Sequence, residues 1–234
     1  MTSVGRDQKS RRETGPLTER GAARRAALMV AARRVFEERG YFDTRVADIV
    51  AEAKVAQGTF YSYFDSKEAI FEALAQQVVG SMMAAMHPES PQRGAPTERV
   101  RDAMGRFVAA YRPNATWIAL TEQVGATTNE LQRLRLQVRE SFVDRMARGI
   151  RNQQQSGIAD PNIDPLVMAD ILGAMVDQTC YLWLHLGRDF DETQLIDHLT
   201  LVYVRAVGLT DDIPTAANAN HAELSDTDQR AVGA

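Results

Sequence analysis

Apolar residues recur at helical spacing along nearly the whole chain, and no stretch alternates as a half-buried strand would. Val46, Ile49, Val50 and Ala53 fall at i, i+3, i+4 and i+7, which makes one apolar face of a short helix with Thr44 placed as its N-cap. Lys54 and Val55 supply a turn. A second short segment, 56–63, points Phe60 and Phe64 inward and leaves Gln57, Thr59 and Ser62 small and polar on the outside. Asp65 or Ser66 caps the longer helix that follows, and Asp65 with Glu68 has capping-box spacing. Upstream, Thr18 caps a long helix that ends at Gly40 and buries Leu28, Ala31, Ala32, Val35 and Phe36.

Beyond residue 66 the pattern stays helical. Phe71, Leu74, Ala75, Val78 and Met82 stripe a helix over about 66–86, and the segment HPESPQRGAP at 87–96, with three of the eight prolines, breaks it. Further helices are predicted over 97–111, stopped by Pro113, then over 114–125 and 128–155. Two more cover 166–186, closed by Gly187, and 192–207, closed by Gly208. The helix at 166–186 is apolar nearly all round (Leu166, Val167, Ile171, Leu172, Met175, Val176, Leu182, Leu184, Leu186), so it must be buried. Ala169 and Gly173, four apart, permit a close helix approach there. Leu195, Leu199, Val202, Ala206 and Leu209 stripe the last helix. The fold class is all-α.

Two short helices joined by a tight turn, the second presenting small polar side chains, meet the requirement of a helix-turn-helix whose second helix enters a DNA major groove. The run Gly40, Thr44, Ile49, Ala53, Val55, Gly58, Thr59, Phe60, Tyr61, Phe64, Ser66, Lys67 and Glu68 resembles the N-terminal DNA-binding domain of TetR-type transcriptional regulators, over roughly residues 18–75. The resemblance implies that Thr44 and Lys67 contact backbone phosphates and that Tyr61 and Tyr63 touch phosphate or sugar. Gln57 and Thr59 are the candidates for base edges, because glutamine pairs bidentately with adenine and threonine bonds a base or packs on a thymine methyl. Two positions depart from the family pattern. Lys54 stands where a glycine is usual, and Ala56 replaces the usual serine, giving up a helix cap.

Charge separates the two ends of the chain. The 234 residues carry a net −4, yet residues 1–67 hold 13 Lys and Arg against 9 Asp and Glu, a balance of +4 that leaves −8 for the rest. The basic part is the part with the helix-turn-helix. Residues 1–16, with Arg6, Lys9, Arg11 and Arg12, lack periodicity and are expected to be a disordered basic arm, either reaching DNA or solubilising the chain. The single Cys180 excludes an intrachain disulfide and a cysteine-cluster metal site, and its ordinary role is that of a small buried hydrophobe. His87, His185, His198 and His221 lack metal-ligand spacing, and HExxH, phosphate-loop and GxSxG motifs are absent. Neither an enzyme nor a cofactor is expected. No apolar run reaches the length of a membrane span and no signal-peptide core is seen, so a cytoplasmic protein is expected.

The expected organisation is therefore a basic arm (1–16), a helix-turn-helix domain (17–65), a helical ligand-binding and dimerisation domain (66–209) and a disordered tail (210–234). The resemblance implies a homodimer on a palindromic operator in double-stranded DNA, released by a small-molecule effector. It also implies pairing through the helices at 166–186 and 192–208, although burial inside one subunit would explain the first of these. Met104, Phe107, Tyr111, Trp117, Phe142, Met146, Tyr181 and Trp183 are candidate pocket residues, and each is equally suited to plain core. Asp177 and Gln178 are polar positions in an apolar helix, placed either to orient a ligand or to bond across a dimer.

Overall fold

A computed structural model describes residues 18–88, 94–124 and 129–211. The arm at 1–16, residues 89–93 of the proline-rich segment and the tail from 212 onward lie outside the described residues. Every regular element among the described residues is helical, and they group into two compact units, Met1–Phe71 and Glu72–Ala234.

The first unit holds α1 (Glu19–Asp43), α2 (Val46–Glu52), α3 (Gln57–Tyr61) and the opening turn of α4 (Lys67–Ala85). Thr18 caps α1 by accepting from the Gly21 amide at 3.3 Å. At Gly40 the backbone leaves helical geometry (φ 79°), so the helix stops regular winding where the sequence placed its end. Leu28, Ala32, Phe36, Ile49, Phe60 and Ile70 are fully buried, and Phe36 meets Phe71 edge-to-face at 5.3 Å. Because Ile70 and Phe71 belong to this core, the unit runs past the boundary expected at residue 65.

The second unit contains the rest of α4, α5 (Pro96–Tyr111), a 3-10 turn (Arg112–Asn114), α6 (Ala115–Val124), α7 (Asn129–Gln155), α8 (Pro165–Leu184) and α9 (Glu192–Val207). Each break follows from a residue type. Pro113 lacks the amide that would continue α5, and Gly208 caps α9 in the left-handed region (φ 64°). Asp164 and Asp191 start α8 and α9 by accepting backbone amides at 2.8 Å and 2.9 Å. Ala169 of α8 is fully buried, and Gly173 lies against Val143 of α7, the close approach that small residues allow.

One expectation is corrected here. The helix at 166–186 is not buried all round within the chain. Leu172, Val176 and Cys180 are covered, but Val167 and Ile171 remain 57% and 58% exposed, and Leu166 and Leu186 are also open. On α9, Leu195 and Leu199 are buried, whereas Val202 of the expected stripe and its neighbour Leu201 are each 43% exposed. Burial inside one subunit therefore does not account for the apolar composition of these helices.

Candidate functional site

The surface of the first unit is set by the turn between α2 and α3. Ala53 ends α2, Lys54 adopts φ 54°, and the amides of Lys54 and Val55 return to the carbonyls of Ala51 (3.2 Å) and Val50 (3.1 Å), the two bonds of a Schellman motif. Among the described non-glycine residues only Lys54 has positive φ, so the departure noted in the sequence falls on the one position where glycine would be free of strain. Ala56 is the N-cap of α3 and makes no side-chain cap bond. Lys54→Gly together with Ala56→Ser should stabilise the first unit by about 1 to 2 kcal/mol, read as a higher denaturation midpoint.

Around that turn, Gln57 and Tyr61 are exposed, Thr59 and Tyr63 are half-buried, and a Cβ on Gly58 would meet open space. Phe60 and Phe64 are buried as expected, and the Arg25 guanidinium lies 5.0 Å over the Phe64 ring. These residues give α3 an open polar face. Thr44 is a different case. Arg45, not Thr44, occupies the N-cap of α2, and the Arg45 amide donates to Asp48 at 2.8 Å. The Thr44 side chain is 1% exposed and donates its hydroxyl to the Gly40 carbonyl at 2.6 Å, so it fixes the corner between α1 and α2 instead of capping. The sequence signal failed because a capping residue type one position early serves the preceding helix equally well.

Lys67 is bound into the same corner. Its ammonium donates to the carbonyls of Tyr41 at 2.9 Å and Thr44 at 3.1 Å, and lies 4.2 Å over the Tyr41 ring. Two of its three donor directions are thus occupied, and one is left for an external anion. Tyr41 in turn donates to Glu68 at 2.7 Å. Burial alone would raise the Glu68 carboxyl. The bonds from Tyr41, its own backbone and Ser66, with the Lys67 charge, outweigh burial and hold it below its ordinary value. A depressed folded value means that this contribution is present above the ordinary carboxylate range and is lost as pH falls through the folded value. Lys67→Ala should therefore unfold the first unit more easily, by about 2 to 4 kcal/mol in chemical denaturation, besides weakening any phosphate contact.

The second unit encloses a cavity of about 940 Å³. Its wall follows α7 from Gln132 to Gln153, about 30 Å of helix. Of the residues singled out in the sequence, Met104, Phe107, Tyr111, Trp117, Phe142, Met146 and Asp177 lie on that wall. Tyr181, Trp183 and Gln178 do not. Tyr181 packs on the His185 ring at 4.9 Å, and Trp183 lies under the Arg112 guanidinium at 4.7 Å. Gln178 is exposed. A helix of 3.6 residues per turn separates neighbours by 100°, so Asp177 faces the cavity and Gln178 the outside.

The two ends of the cavity differ in charge. At one end Asp177 lies near Tyr111, while Arg135 pairs with both Glu122 carboxylate oxygens through its Nε and one Nη, and Arg139 bonds the Asp170 carboxylate at 3.2 Å and carbonyl at 2.8 Å. Burial and then the Glu122 charge raise the Asp177 carboxyl, against the pull of Arg139, Arg135 and Tyr111. At the other end Arg145 and Arg106 both donate to the Met86 carbonyl, at 2.9 Å and 3.2 Å. Burial, with Arg106 and Arg148 nearby, lowers the Arg145 guanidinium. Tyr203 donates to Gln153 at 2.9 Å, and burial pushes its hydroxyl up to about 12. Cys180 is buried with its thiol pushed up to about 12 by desolvation, the state of an unreactive core residue.

Sequence reasoning missed the charged lining, Glu122, Arg135, Arg139 and Arg145, and the α4 side of the wall, Val78, Met82 and Met86. Part of it carried a signal: Arg135, Val138, Phe142, Arg145 and Gly149 continue at three- and four-residue steps the stripe on which Phe142 was already noted. The α4 residues carried none, because a buried stripe looks the same whether it meets side chains or a cavity.

Comparison with known proteins agrees with this architecture. Residues 28–74 match the family described as bacterial regulatory proteins, tetR family, and residues 100–208 match the C-terminal domain of the transcriptional regulator EthR. The A-factor receptor protein of Streptomyces griseus is 29% identical over 158 residues, covering 63% of this chain and only 50% of the receptor's length. The structure of FadR from Bacillus subtilis in complex with stearoyl-CoA superposes with a TM-score of 0.68 at 20% identity, over 78% of this chain and 98% of FadR. A tetR-family transcriptional regulator from Streptomyces coelicolor gives 0.62 at 18% identity, over 79% and 80%. With a helix-turn-helix and an EthR-like C-terminal domain in one all-helical chain, this protein belongs to the TetR family of transcriptional regulators.

Proposed function

We propose that the protein is a homodimeric repressor that binds a palindromic operator and is released by a small hydrophobic or amphipathic effector held in the cavity of the second unit. The observation that carries this reading is the cavity of about 940 Å³, whose middle is lined by Phe107, Phe142, Met104 and Met146. It is of the size and chemistry of a site for a drug-sized ligand. That FadR is found with stearoyl-CoA supports a ligand with a long apolar portion here too. Gln57 and Thr59 read base edges, Tyr61, Tyr63 and the remaining donor of Lys67 hold the backbone, and the work takes place in the cytoplasm, where the DNA is.

The dimer forms through the apolar face left open on α8 and α9, where Leu166, Val167, Ile171, Leu201 and Val202 are exposed. A twofold pair presents two copies of α3 to successive major grooves, about 34 to 36 Å apart. Helix α4 begins in the first unit and carries Val78 and Met82 on the cavity wall, so an occupant that shifts this helix alters the reach of the DNA-binding units. The test is an anisotropy titration on DNA flanking the gene at several salt concentrations, with and without a panel of apolar ligands. Binding that depends on a palindrome and is abolished by one ligand is the expected result. Binding that no ligand disturbs would instead identify a ligand-independent regulator.

A further inference from the structure

Among the described residues, Asp177 is the one carboxylate of the cavity wall that is in no direct ion pair. Glu122, the other acid on the wall, is paired with Arg135. Arg139, the other guanidinium near Asp177, is bound to Asp170. The remaining polar neighbour of Asp177 is Tyr111, itself 2% exposed and packed against Phe107 on α5. A carboxylate has about four acceptor sites. Asp177 shares the cavity wall with the apolar side chains of Phe107, Phe142 and Met146. Leaving an ionised carboxylate short of donors in such surroundings is unfavourable, and burial accordingly raises the Asp177 carboxyl. Apolar residues at this position would have made a plainer pocket.

We infer that Asp177 is the recognition point for a cationic or strongly hydrogen-bond-donating group of the effector, so that the effector is an amphipathic amine with its apolar body toward Phe107, Phe142 and Met146. This rests on reading the cavity as the effector site and adds the chemistry of the ligand's polar group. The groups facing Asp177 are Tyr111 from α5, Glu122 from α6, Arg135 and Arg139 from α7 and Cys180 from α8. The two arginines and Glu122 are mutually or otherwise paired, and the Cys180 thiol is neutral at ordinary pH. An ammonium entering this end therefore meets one unmatched negative charge.

Three probes of equal chain length separate the possibilities: decylamine, decanol and decanoate, measured by calorimetry on the full chain and by release of operator DNA. Decylamine is expected to bind tightest. Asp177→Asn keeps the shape while removing the charge and should lower decylamine affinity about ten- to hundredfold while leaving decanol nearly unchanged. Filling the cavity with Gly149→Phe should abolish binding of all three. If decanoate binds best, or if Asp177→Asn weakens all three probes equally or none of them, the assignment of Asp177 is overturned while the cavity stands as the effector site. If no probe binds and none releases DNA, both the assignment and the effector reading are overturned.

Discussion

Ile171→Asp is expected to give a folded monomer that has lost operator binding. The side chain is 58% exposed in the single chain, so aspartate there stays hydrated and costs the monomer little beyond a small loss of helix propensity. Across the proposed seam the same residue meets the apolar face made by Val167, Leu201 and Val202, and in a twofold pair the change is made twice. Burying a carboxylate against that face without a partner is far more costly than the substitution is in water. Once the pair separates, each DNA-binding unit must bind a half-site alone and the gain from linking two sites disappears, about 10²- to 10⁴-fold in affinity. Light scattering after size exclusion should report the monomer mass with an unchanged helical spectrum. A dimer persisting at micromolar concentration would place the seam elsewhere.

Gly149→Phe should leave the protein bound to DNA at every effector concentration. Gly149 lies on the cavity wall in the C-terminal third of α7, and a Cβ built there meets nothing within 4 Å, so there is open space where a larger side chain begins. A phenyl ring there occupies space that an effector's apolar portion would need, and the overlap should reduce effector affinity by at least about a hundredfold. Replacing a glycine inside a helix also removes a backbone entropy penalty, so thermal stability should rise by up to about 1 kcal/mol. DNA titrations with and without ligand, together with a melting curve, check both effects. If the variant is released from DNA without any ligand, the phenyl ring acts as the occupant, and the cavity still controls release.

The helix-turn-helix was legible because local rules determine it. Its register comes from Ile49, Val50, Phe60 and Phe64 at helical spacing, and the departures of Lys54 and Ala56 from the family pattern fall where the structure has φ 54° and an α3 without a side-chain cap. The error at Thr44 has the same local origin: the residue suits a cap, but its hydroxyl found the Gly40 carbonyl first. Lys67 was read as a phosphate ligand and is also a structural clamp on Tyr41 and Thr44, residues more than twenty positions away that no local pattern connects to it.

Periodicity, breakers and caps act within a few residues of one another, so the sequence by itself determined the all-helical class, the helix boundaries and which residues are apolar. It could not say what each apolar stripe faces. Phe142 and Met146 line a cavity, Tyr181 and Trp183 do not, and Val167 and Ile171 lie exposed, although all six are large apolar or aromatic residues on helices. Only the packing of α7 against α8, and of α5 against α9, decided that. The pairing of Glu122 with Arg135 and of Asp170 with Arg139, which leaves Asp177 outside any ion pair, likewise depends on how separate helices are brought together, where nearest-neighbour chemistry carries no information.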